Sequence, residues 1–331
     1  MGTEAQLIRR IQRALTSRGA PSGLRLGIGD DAALLRPLPG RDQVLSCDAF
    51  LEDVHFLSRV HPPDSVGYKS LARATSDLAA MGAHPRFFLL TLALPASRAG
   101  GWLDGFLAGM ARASRRFRIV LAGGDTSQPA KRAGIAISVT VIGDIPIGAA
   151  ITRSGARPGD LIYVSGTLGA AQLGLELILR GAWRQEKWRH LLGPHFYPDL
   201  RLELGEWLAH HRLASSMIDT SDGLSTDLAH LCESSRVGAR LFQGSIPAVR
   251  VPTQLAIKGF SAERMALHGG EDYELLFTVP RRLAKKIPSV FRSVALTCIG
   301  EIERGKRIEL VSSNGTTSLL EPLGWDHFRE R

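Results

Sequence analysis

The chain has 331 residues, and its 41 lysines and arginines outnumber its 32 acidic residues, which gives a formal charge of +9. Hydrophobic residues make up 44% and charged residues 22%, an ordinary globular composition that excludes intrinsic disorder, a collagen-like chain and a coiled coil. The length favours two domains over a single hydrophobic core.

Hydrophobic periodicity predicts a mixture of strands and helices in the first half of the chain. Apolar residues at helical spacing indicate an amphipathic helix over 4–15. Asp64 is the predicted N-cap of a long helix that ends at Gly82, three residues before Pro85. Apolar runs predict the other elements of this half, namely strands at 43–47, 54–57, 87–94, 119–122 and 134–142 and a helix at 102–117.

The segment 143–160 is rich in glycine and proline and is the predicted linker between two α/β domains, residues 1–148 and 149–331. Beyond it, 161–181 has the pattern of a strand, a glycine turn and a helix. The later elements are predicted as helices at 199–211 and 224–234 and strands at 215–218, 273–279, 294–299 and 307–311.

The cysteines and the N-terminal segment predict a cytoplasmic protein. Cys47, Cys232 and Cys298 are far apart and odd in number, so they form neither a CxxC motif nor a disulfide framework. Charges occur throughout the first fifteen residues, which lack the apolar core of a signal peptide. The most apolar stretch, 87–96, is too short to span a bilayer, and we expect no association with a membrane.

The positive net charge leaves nucleic-acid binding open as a non-enzymatic alternative, because basic surfaces attract phosphate. The arginines are scattered singly or in short groups, such as those at 9–10, 115–116 and 281–282. No run of five or six like charges occurs, so the sequence predicts no basic arm or tail.

A series of aspartates in glycine-rich or turn-like segments is the most informative feature. One such carboxylate is typically a turn residue or a helix cap, and Asp222-Gly223 would cap a helix that begins at Leu224. Several of them follow predicted strands, where α/β proteins place ligands. Converging carboxylates need cations, and oxygen ligands without a Cys or His cluster favour Mg²⁺ or Mn²⁺ over zinc. Such a cation most commonly serves a polyphosphate.

Two familiar nucleotide motifs do not explain these segments. The residues 27–32 match a loose GxGxxA pattern, but two carboxylates would then lie where a pyrophosphate meets a helix, so we reject a Rossmann site. No GxxxxGK[ST] motif is present, so any ATP is bound without a Walker loop. Gly123-Gly124, the turn 165–169 and Arg153 remain as candidate phosphate contacts. A plain strand–helix turn explains 165–169 equally well, and a lone arginine such as Arg153 is more often a surface or interface residue.

The motifs, taken in order, resemble thiamine-monophosphate kinase, a family in the ATP-binding superfamily of aminoimidazole ribonucleotide synthetase and selenophosphate synthetase. The resemblance extends from Gly27 to the segment 324–328, and VHF, SDLAAMGA and GGEDYEL are its most specific parts. The series consists of GIGDDAA, DxxxExVHF, SDLAAMGA, GGDT, SDGLxxDL and GGEDYELLFT.

This resemblance implies ATP-dependent phosphorylation of thiamine monophosphate to thiamine diphosphate, with several Mg²⁺ ions and K⁺ as a further cation. It implies an α/β (α+β), two-domain fold of the aminoimidazole ribonucleotide synthetase type in a homodimer. Residues 1–148 would bind ATP and Mg²⁺ and pair through their mixed sheet across the dimer, and 149–331 would complete the nucleotide and substrate site. The enzymatic alternative is another ATP-dependent synthetase of the superfamily.

The resemblance also assigns site residues by motif position. The implied metal ligands are Asp30, Ser46, Cys47, Asp48, Asp77, Asp125, Asp219 and Asp222. The implied ATP contacts are Gly124, Asp125, Arg153 and Ser221. The implied contacts to the thiamine substrate are His55, Glu271 and Trp325. No catalytic nucleophile is assigned, because direct in-line transfer needs positioning and charge neutralisation instead.

The implied substrate contacts suit a cationic thiazolium, which favours an aromatic face such as Trp325 and a carboxylate such as Glu271. Without the resemblance, Trp325 would be interpreted as a core residue, and His55 as a strand residue that faces opposite to its neighbours. The sequence departs from the family at Cys47, where threonine is usual, and at Asp53, where glycine is usual. Cys47 changes little if the family's ligand is the backbone carbonyl, and it weakens one metal contact if the ligand is the hydroxyl. Asp53 adds a charge beside His55.

Overall fold

The computed structural model describes residues 4–15, 23–28, 32–130, 133–326 and 328. The chain divides into two units, one made of Met1–Leu78 with Ala83–Gly148 and the other of Ala79–Gly82 with Ala149–Arg331. In the described ranges no helix is both long and apolar enough to cross a membrane.

The first unit is built on a four-stranded mixed sheet with the order β3-β6-β4-β5, in which β4 and β5 are parallel and the other pairs antiparallel. A separate two-stranded hairpin pairs β1 with β2. The elements are α1 (Glu4–Leu15), β1 (Leu24–Leu26), β2 (Leu34–Leu35), β3 (Arg41–Leu51), α2 (Pro63–Met81), β4 (His84–Ala93), α3 (Gly101–Phe117), β5 (Val120–Ser127) and β6 (Ala136–Pro146).

Alternation along the central strands gives this sheet one closed face and one more open face. On the closed face Val139 and Val141 of β6 and Leu90 of β4 are buried. On the other face Phe87 and Ile142 form a small cluster to which the hairpin contributes. Period-2 burial of this kind orients the side chains of β3 as well, because β3 pairs with β6 along its whole length.

The second unit contains a larger sheet of order β14-β13-β9-β12-β7-β10-β8, with β11 paired to β12; β9 and β13 are parallel and the other pairs antiparallel. Its elements are β7 (Leu161–Ser165), α4 (Ala170–Leu179), α5 (Gly193–Phe196), α6 (Leu202–His210), β8 (Ser216–Asp219), α7 (Leu224–Ser235), β9 (Gly238–Phe242), α8 (Thr253–Ala256), α9 (Ala262–His268), β10 (Leu275–Val279), β11 (Val290–Phe291), β12 (Val294–Glu303), β13 (Ile308–Val311) and β14 (Thr317–Leu319).

A hydrophobic core in this unit joins the sheet to its helices. Leu224, Leu228 and Leu231 on one face of α7 are fully buried and belong to the same cluster as Ile218 of β8 and Leu276 of β10. The spacing of the three leucines is that of an amphipathic helix, so the burial that the sequence pattern predicts is the burial observed. The expected two-domain mixture of helices and sheets is confirmed.

Three local predictions are wrong. Residues 54–57 form no strand, because a turn closes with a hydrogen bond from Asp53 N–H to the Phe56 carbonyl (2.8 Å). Asp64 lies inside the first turn of α2 and does not precede it. The predicted linker starts too early, because β6 continues to Pro146.

Candidate active site

Three loops of the second unit meet at one end of its sheet, because β10 is antiparallel to both of its neighbours. Leu275, the first residue of β10, pairs with Asp219, the last residue of β8. On the other side Leu276 pairs with Val164 near the end of β7. The segment 269–274 before β10 therefore lies beside the segment 220–223 after β8, where the Glu271 N–H donates to the Ser221 carbonyl (2.8 Å).

The second acidic group of the GGEDYE segment, Asp272, is buried against the start of a helix. Asp272 accepts hydrogen bonds from the backbone N–H groups of Gly169 (2.5 Å) and Ala171 (3.0 Å) at the start of α4. Burial raises the pKa of Asp272 to about 7, although these backbone donors act in the opposite direction. The turn 165–169, a candidate phosphate contact, is thus filled by the protein's own carboxylate.

The third acidic group, Glu274, is buried and fully paired. Both of its oxygens accept from the Arg201 guanidinium, from Nε and Nη2 at 2.5 Å each, and the Ser165 hydroxyl also donates to Oε2 (2.5 Å). Burial by itself lowers the pKa of Arg201, but the hydrogen bonds and charge of Glu274 outweigh it and raise that pKa above its usual value. Asp272 and Glu274 therefore hold the segment in place.

Glu271 is half-buried and lies in the segment that Asp272 and Glu274 hold in place. Its backbone has φ of +68°, a left-handed conformation that non-glycine residues seldom adopt and that is often found at functional sites. One carboxylate oxygen lies 3.3 Å from Nδ1 of His195, an α5 residue whose side chain is only 1% exposed. The predicted substrate-binding carboxylate thus rests against a buried imidazole.

Asp222 and Asp227 of the SDGLxxDL motif lie close to Asp219, which precedes the motif by two residues. Asp219 is buried at the end of β8, and Asp227 is buried one turn into α7. The Asp227 carboxylate accepts from the backbone N–H groups of Asp222 (3.2 Å) and Gly223 (2.9 Å), so a side chain in the first turn of the helix satisfies donors at its N-terminus. Burial and then the charges of Asp219 and Asp222 raise the pKa of Asp227 well above its usual value.

The C-terminal segment is attached to the same loop. The Trp325 N–H donates to the Asp222 carbonyl (2.9 Å), and the Gly324 N–H donates to the Thr226 hydroxyl (3.0 Å). A side chain at residue 324 would overlap the Asp222 carbonyl, so glycine permits this close approach. Trp325 is half-buried, and this attachment brings it to the loop that also supports Glu271.

In the first unit, β3 and α2 bring several predicted metal ligands together. The Ser46 hydroxyl donates to the Asp77 carboxylate of α2. Arg73, one helical turn earlier, has its Nε 3.6 Å from the Asp48 carboxylate. Cys47, between them, lies on the opposite face, where its sulfur is 3.4 Å from the Ser138 hydroxyl. Its thiol is therefore separated from Asp77 by the sheet.

Asp125 and Gly124 lie on β5, at the other edge of the same sheet. Three strand spacings separate β3 from β5, or about 14 Å, so Asp48 and Asp125 are not adjacent within this unit. The Asp125 side chain is exposed. A side chain on Gly124 would overlap the Leu90 carbonyl, so the strand pairing itself requires this glycine.

Of the other predicted residues, Asp30 lies outside the described part of the chain, and Arg153 and Ser221 are accessible loop residues of the second unit. His55 lies in the 53–55 turn, not in a strand, and its Nδ1 accepts from the Leu51 N–H (3.0 Å). Asp53 has φ of +63°, a left-handed conformation that glycine adopts more readily than aspartate.

The donor set suits Mg²⁺, although within the described ranges no three His, Cys, Asp or Glu side chains are close enough to hold a metal ion. Mg²⁺ sites at phosphates typically use one or two carboxylates together with substrate oxygens and water, not a complete protein cage. The hydroxyl of Ser46 and the carboxylates of Asp77 and Asp48 are oxygen donors of this kind. So are Asp219 and Asp222, whose charges both act on the buried Asp227.

Sequence reasoning missed the supporting residues Arg201, His195 and Asp227. The second aspartate of SDGLxxDL was visible in its motif, and its spacing from Gly223 is a helix-cap signal. Arg201 and His195 carry no local signal, because their partners are 73 and 76 residues away in the chain.

Comparison with known proteins identifies the family. The family model "AIR synthase related protein, N-terminal domain" matches residues 29–145, and the corresponding C-terminal model matches 157–313. The thiamine-monophosphate kinase of Escherichia coli K12 is 37% identical over 316 residues, which cover 94% of each chain. The chain belongs to the thiamine-monophosphate kinase family. The expectation drawn from the motifs is confirmed at this level.

Solved structures of thiamine-monophosphate kinases have the same fold. The crystal structure of the enzyme from Stenotrophomonas maltophilia K279a is 34% identical, has a TM-score of 0.81 and aligns over 96% of this chain and 98% of its own. The AaThiL structure, complexed with AMPPCP and TMP, is 31% identical with a TM-score of 0.76, over 98% and 97% of the two chains.

Proposed function

We propose that this protein transfers the terminal phosphoryl group of ATP to thiamine monophosphate and so forms thiamine diphosphate. The observation that carries the proposal is the full-length similarity to AaThiL, which binds an ATP analogue together with TMP. The paired loops at 220–223 and 269–274 support it, because they present Ser221, Asp222 and Glu271 at one end of the sheet.

In this proposal the residues of the chain position the substrates and supply no covalent intermediate. The acceptor is a phosphate oxygen, which is largely ionised near neutral pH, so the reaction needs no general base. Glu271 and Trp325 would hold the cationic thiazolium, with His55 as a further substrate contact. Gly124, Asp125, Arg153 and Ser221 would contact ATP.

Mg²⁺ held by Asp30, Ser46, the residue 47 backbone, Asp48, Asp77, Asp125, Asp219 and Asp222 would neutralise the phosphate charge during transfer. K⁺ would be an additional cation. The opposite orientation of the Cys47 thiol favours a contribution from its carbonyl, so the change from threonine would cost little.

We also infer a homodimer that pairs through the first unit. Strand β3 is an edge strand of eleven residues, and Leu45 on it is 62% exposed. A long exposed edge strand with apolar side chains is a surface for pairing with another chain. A cytoplasmic location remains our prediction.

The direct test incubates the purified protein with ATP, Mg²⁺, K⁺ and thiamine monophosphate and separates the products by chromatography. We expect equimolar thiamine diphosphate and ADP. Unphosphorylated thiamine serves as the control acceptor and should give no product. Absence of thiamine diphosphate with both cations present would reject the proposal, and ATP hydrolysis without phosphorylation of thiamine monophosphate would point to another superfamily activity.

The contact between His195 and Glu271 predicts a specific kinetic effect. In His195→Ala, Glu271 loses the buried imidazole against which it rests, so we expect the KM for thiamine monophosphate to rise about tenfold. The kcat and the KM for ATP should change less than threefold, because Glu271 is not placed at the transferred phosphoryl group. Steady-state kinetics with each substrate varied in turn measures this split.

The control for this prediction is His190→Ala, which removes an exposed histidine of the same region. His195→Gln, which retains a donor, should recover part of the affinity. Because His195 is buried, urea unfolding of each variant must accompany the kinetics. A fall in kcat without a rise in the KM for thiamine monophosphate would contradict the positioning role.

A further inference from the structure

Much of the positive charge that the proposed reaction leaves unused lies on two helices of the first unit. Helices α1 and α3 carry six arginines and two acidic residues, a surplus of four positive charges out of the chain's nine. The arginines are Arg9, Arg10, Arg13, Arg112, Arg115 and Arg116. Two groups of arginines that are about a hundred residues apart in the sequence thus lie on one pair of neighbouring helices.

A cavity of about 460 Å³ lies between these helices, and this volume is within the range of small-molecule sites. One face of each helix lines it, with Arg10, Arg13 and Ala14 from α1. Helix α3 contributes side chains at positions 104, 107, 108, 111 and 115, which follow helical spacing over about 16 Å. The floor is apolar, and the ends carry the charges.

The wall of this cavity is fixed at one end by Arg10. Its guanidinium donates to the Ala99 carbonyl (2.5 Å) and forms an ion pair with Asp104 (2.5 Å), which joins α1 to the start of α3. Arg10 and Asp104 therefore neutralise each other, and the remaining charge in the cavity is that of Arg13 and Arg115.

Arg13 and Arg115 have exposed side chains. Within the ranges that the structure describes, neither of them forms an ion pair or a side-chain hydrogen bond. Two unpaired guanidinium groups at a concave site favour a multiply charged anion, and the planar fork of arginine matches phosphate oxygens. The cavity is open to solvent, but it is only about 16 Å long and has an apolar floor. These features favour a small molecule over an extended polynucleotide, which needs a basic stripe.

We propose that the cavity between α1 and α3 is a second anion site, which binds a small molecule carrying a diphosphate or a comparable phosphate group. Arg13 and Arg115 bind the phosphate oxygens, and the apolar floor formed by Leu107, Ala108 and Ala111 accommodates any organic part. The site is separate from every residue assigned above to ATP, metal or thiamine binding.

The test is calorimetric titration of the full chain with sodium pyrophosphate at low salt in EDTA, where metal-dependent nucleotide binding is suppressed. We expect Arg13→Gln/Arg115→Gln to weaken binding at least about tenfold or to remove one site per chain. The control Arg282→Gln/Arg304→Gln removes two exposed arginines of the second unit and should stay within twofold of the unsubstituted protein. AMP and inorganic phosphate are titrated in parallel, and tighter binding of AMP shows that the floor contributes.

A second variant keeps the test decisive if the first is unstable. Ala108→Glu places a negative charge on the exposed floor and should abolish the same binding event. Neither variant should change kinase turnover by more than twofold in the absence of pyrophosphate. Three outcomes would overturn the proposal. The unsubstituted protein does not bind pyrophosphate, or both double variants lose affinity equally, or the protein binds a 20-nucleotide RNA but not pyrophosphate.

Discussion

Asp125→Asn is expected to lower kcat for thiamine diphosphate formation by about 10³-fold while the fold is retained. The substitution preserves the shape of the side chain and removes its charge. If Asp125 holds Mg²⁺ at the polyphosphate as we propose, the amide is a much weaker ligand for a hard cation. The apparent affinity for Mg²⁺ should therefore fall as well, and a higher Mg²⁺ concentration should restore part of the rate.

The structure gives a reason to expect an unchanged fold. Asp125 is exposed on an edge strand, and among the described residues its carboxylate forms no ion pair or hydrogen bond. Removing its charge therefore breaks no interaction among the described residues that would stabilise the fold. Asp48→Asn should cause a similar loss of turnover, but it also breaks the ion pair with Arg73, so a stability loss of up to about 1 kcal/mol is expected there.

The measurement combines steady-state kinetics over a range of Mg²⁺ concentrations with thermal unfolding. Glu186→Gln is the matched control, because Glu186 is also exposed and also forms no interaction within the described chain. It should keep its rate within twofold. Near-normal turnover of Asp125→Asn at limiting Mg²⁺ would show that the edge of β5 does not belong to the metal site.

Local sequence patterns predicted most of the elements, because their determinants are local. Helices α3 and α7 begin and end within one residue of the predicted positions, since apolar spacing and the flanking glycines define them. The wrong strand prediction at 54–57 also came from a local sequence pattern. The alternation in EDVHF imitates a strand, but Asp53 takes up a left-handed conformation and the chain turns.

The residues of the candidate site could be predicted from the sequence only where they belong to a motif. The sequence places Glu271 and Asp272 side by side, yet only the structure separates their roles, because Asp272 binds the start of α4, a hundred residues earlier in the chain. The order of the strands in the sheet likewise separates residues that the sequence alone would group together. Asp48 and Asp125 each follow an apolar run, and the sheet order β3-β6-β4-β5 puts them on opposite edges. Long-range pairing of this kind leaves no local trace in a single sequence.

Glu274→Ala is expected to reduce the free energy of unfolding of the second unit by about 3–5 kcal/mol. The side chains of Arg201 and Glu274 are only 14% and 5% exposed, and their contact is bidentate. Removing the carboxylate leaves a largely buried guanidinium without its counter-charge and leaves the Ser165 hydroxyl without its acceptor. Both penalties add to the loss of the interaction itself.

Urea unfolding followed by circular dichroism measures this loss, and a double-mutant cycle with Arg201→Met isolates the pair. The double variant should be more stable than Glu274→Ala alone, because it buries no unpaired charge. Asp199→Asn is the control on the same arginine. Asp199 is 53% exposed and its ion pair with Arg201 is 3.2 Å long, so its removal should cost less than about 1 kcal/mol.

The comparison between Glu274 and Glu271 makes this prediction informative about the site as well. The two acids are three residues apart in one motif, but Glu274 is paired inside the unit, whereas Glu271 is half-buried and held at φ of +68°. Glu271→Gln should therefore leave unfolding nearly unchanged and raise the KM for thiamine monophosphate, the reverse of Glu274→Ala. If both substitutions destabilised the unit equally, the GGEDYE segment would be a structural element throughout, and the proposed substrate role of Glu271 would have to be abandoned.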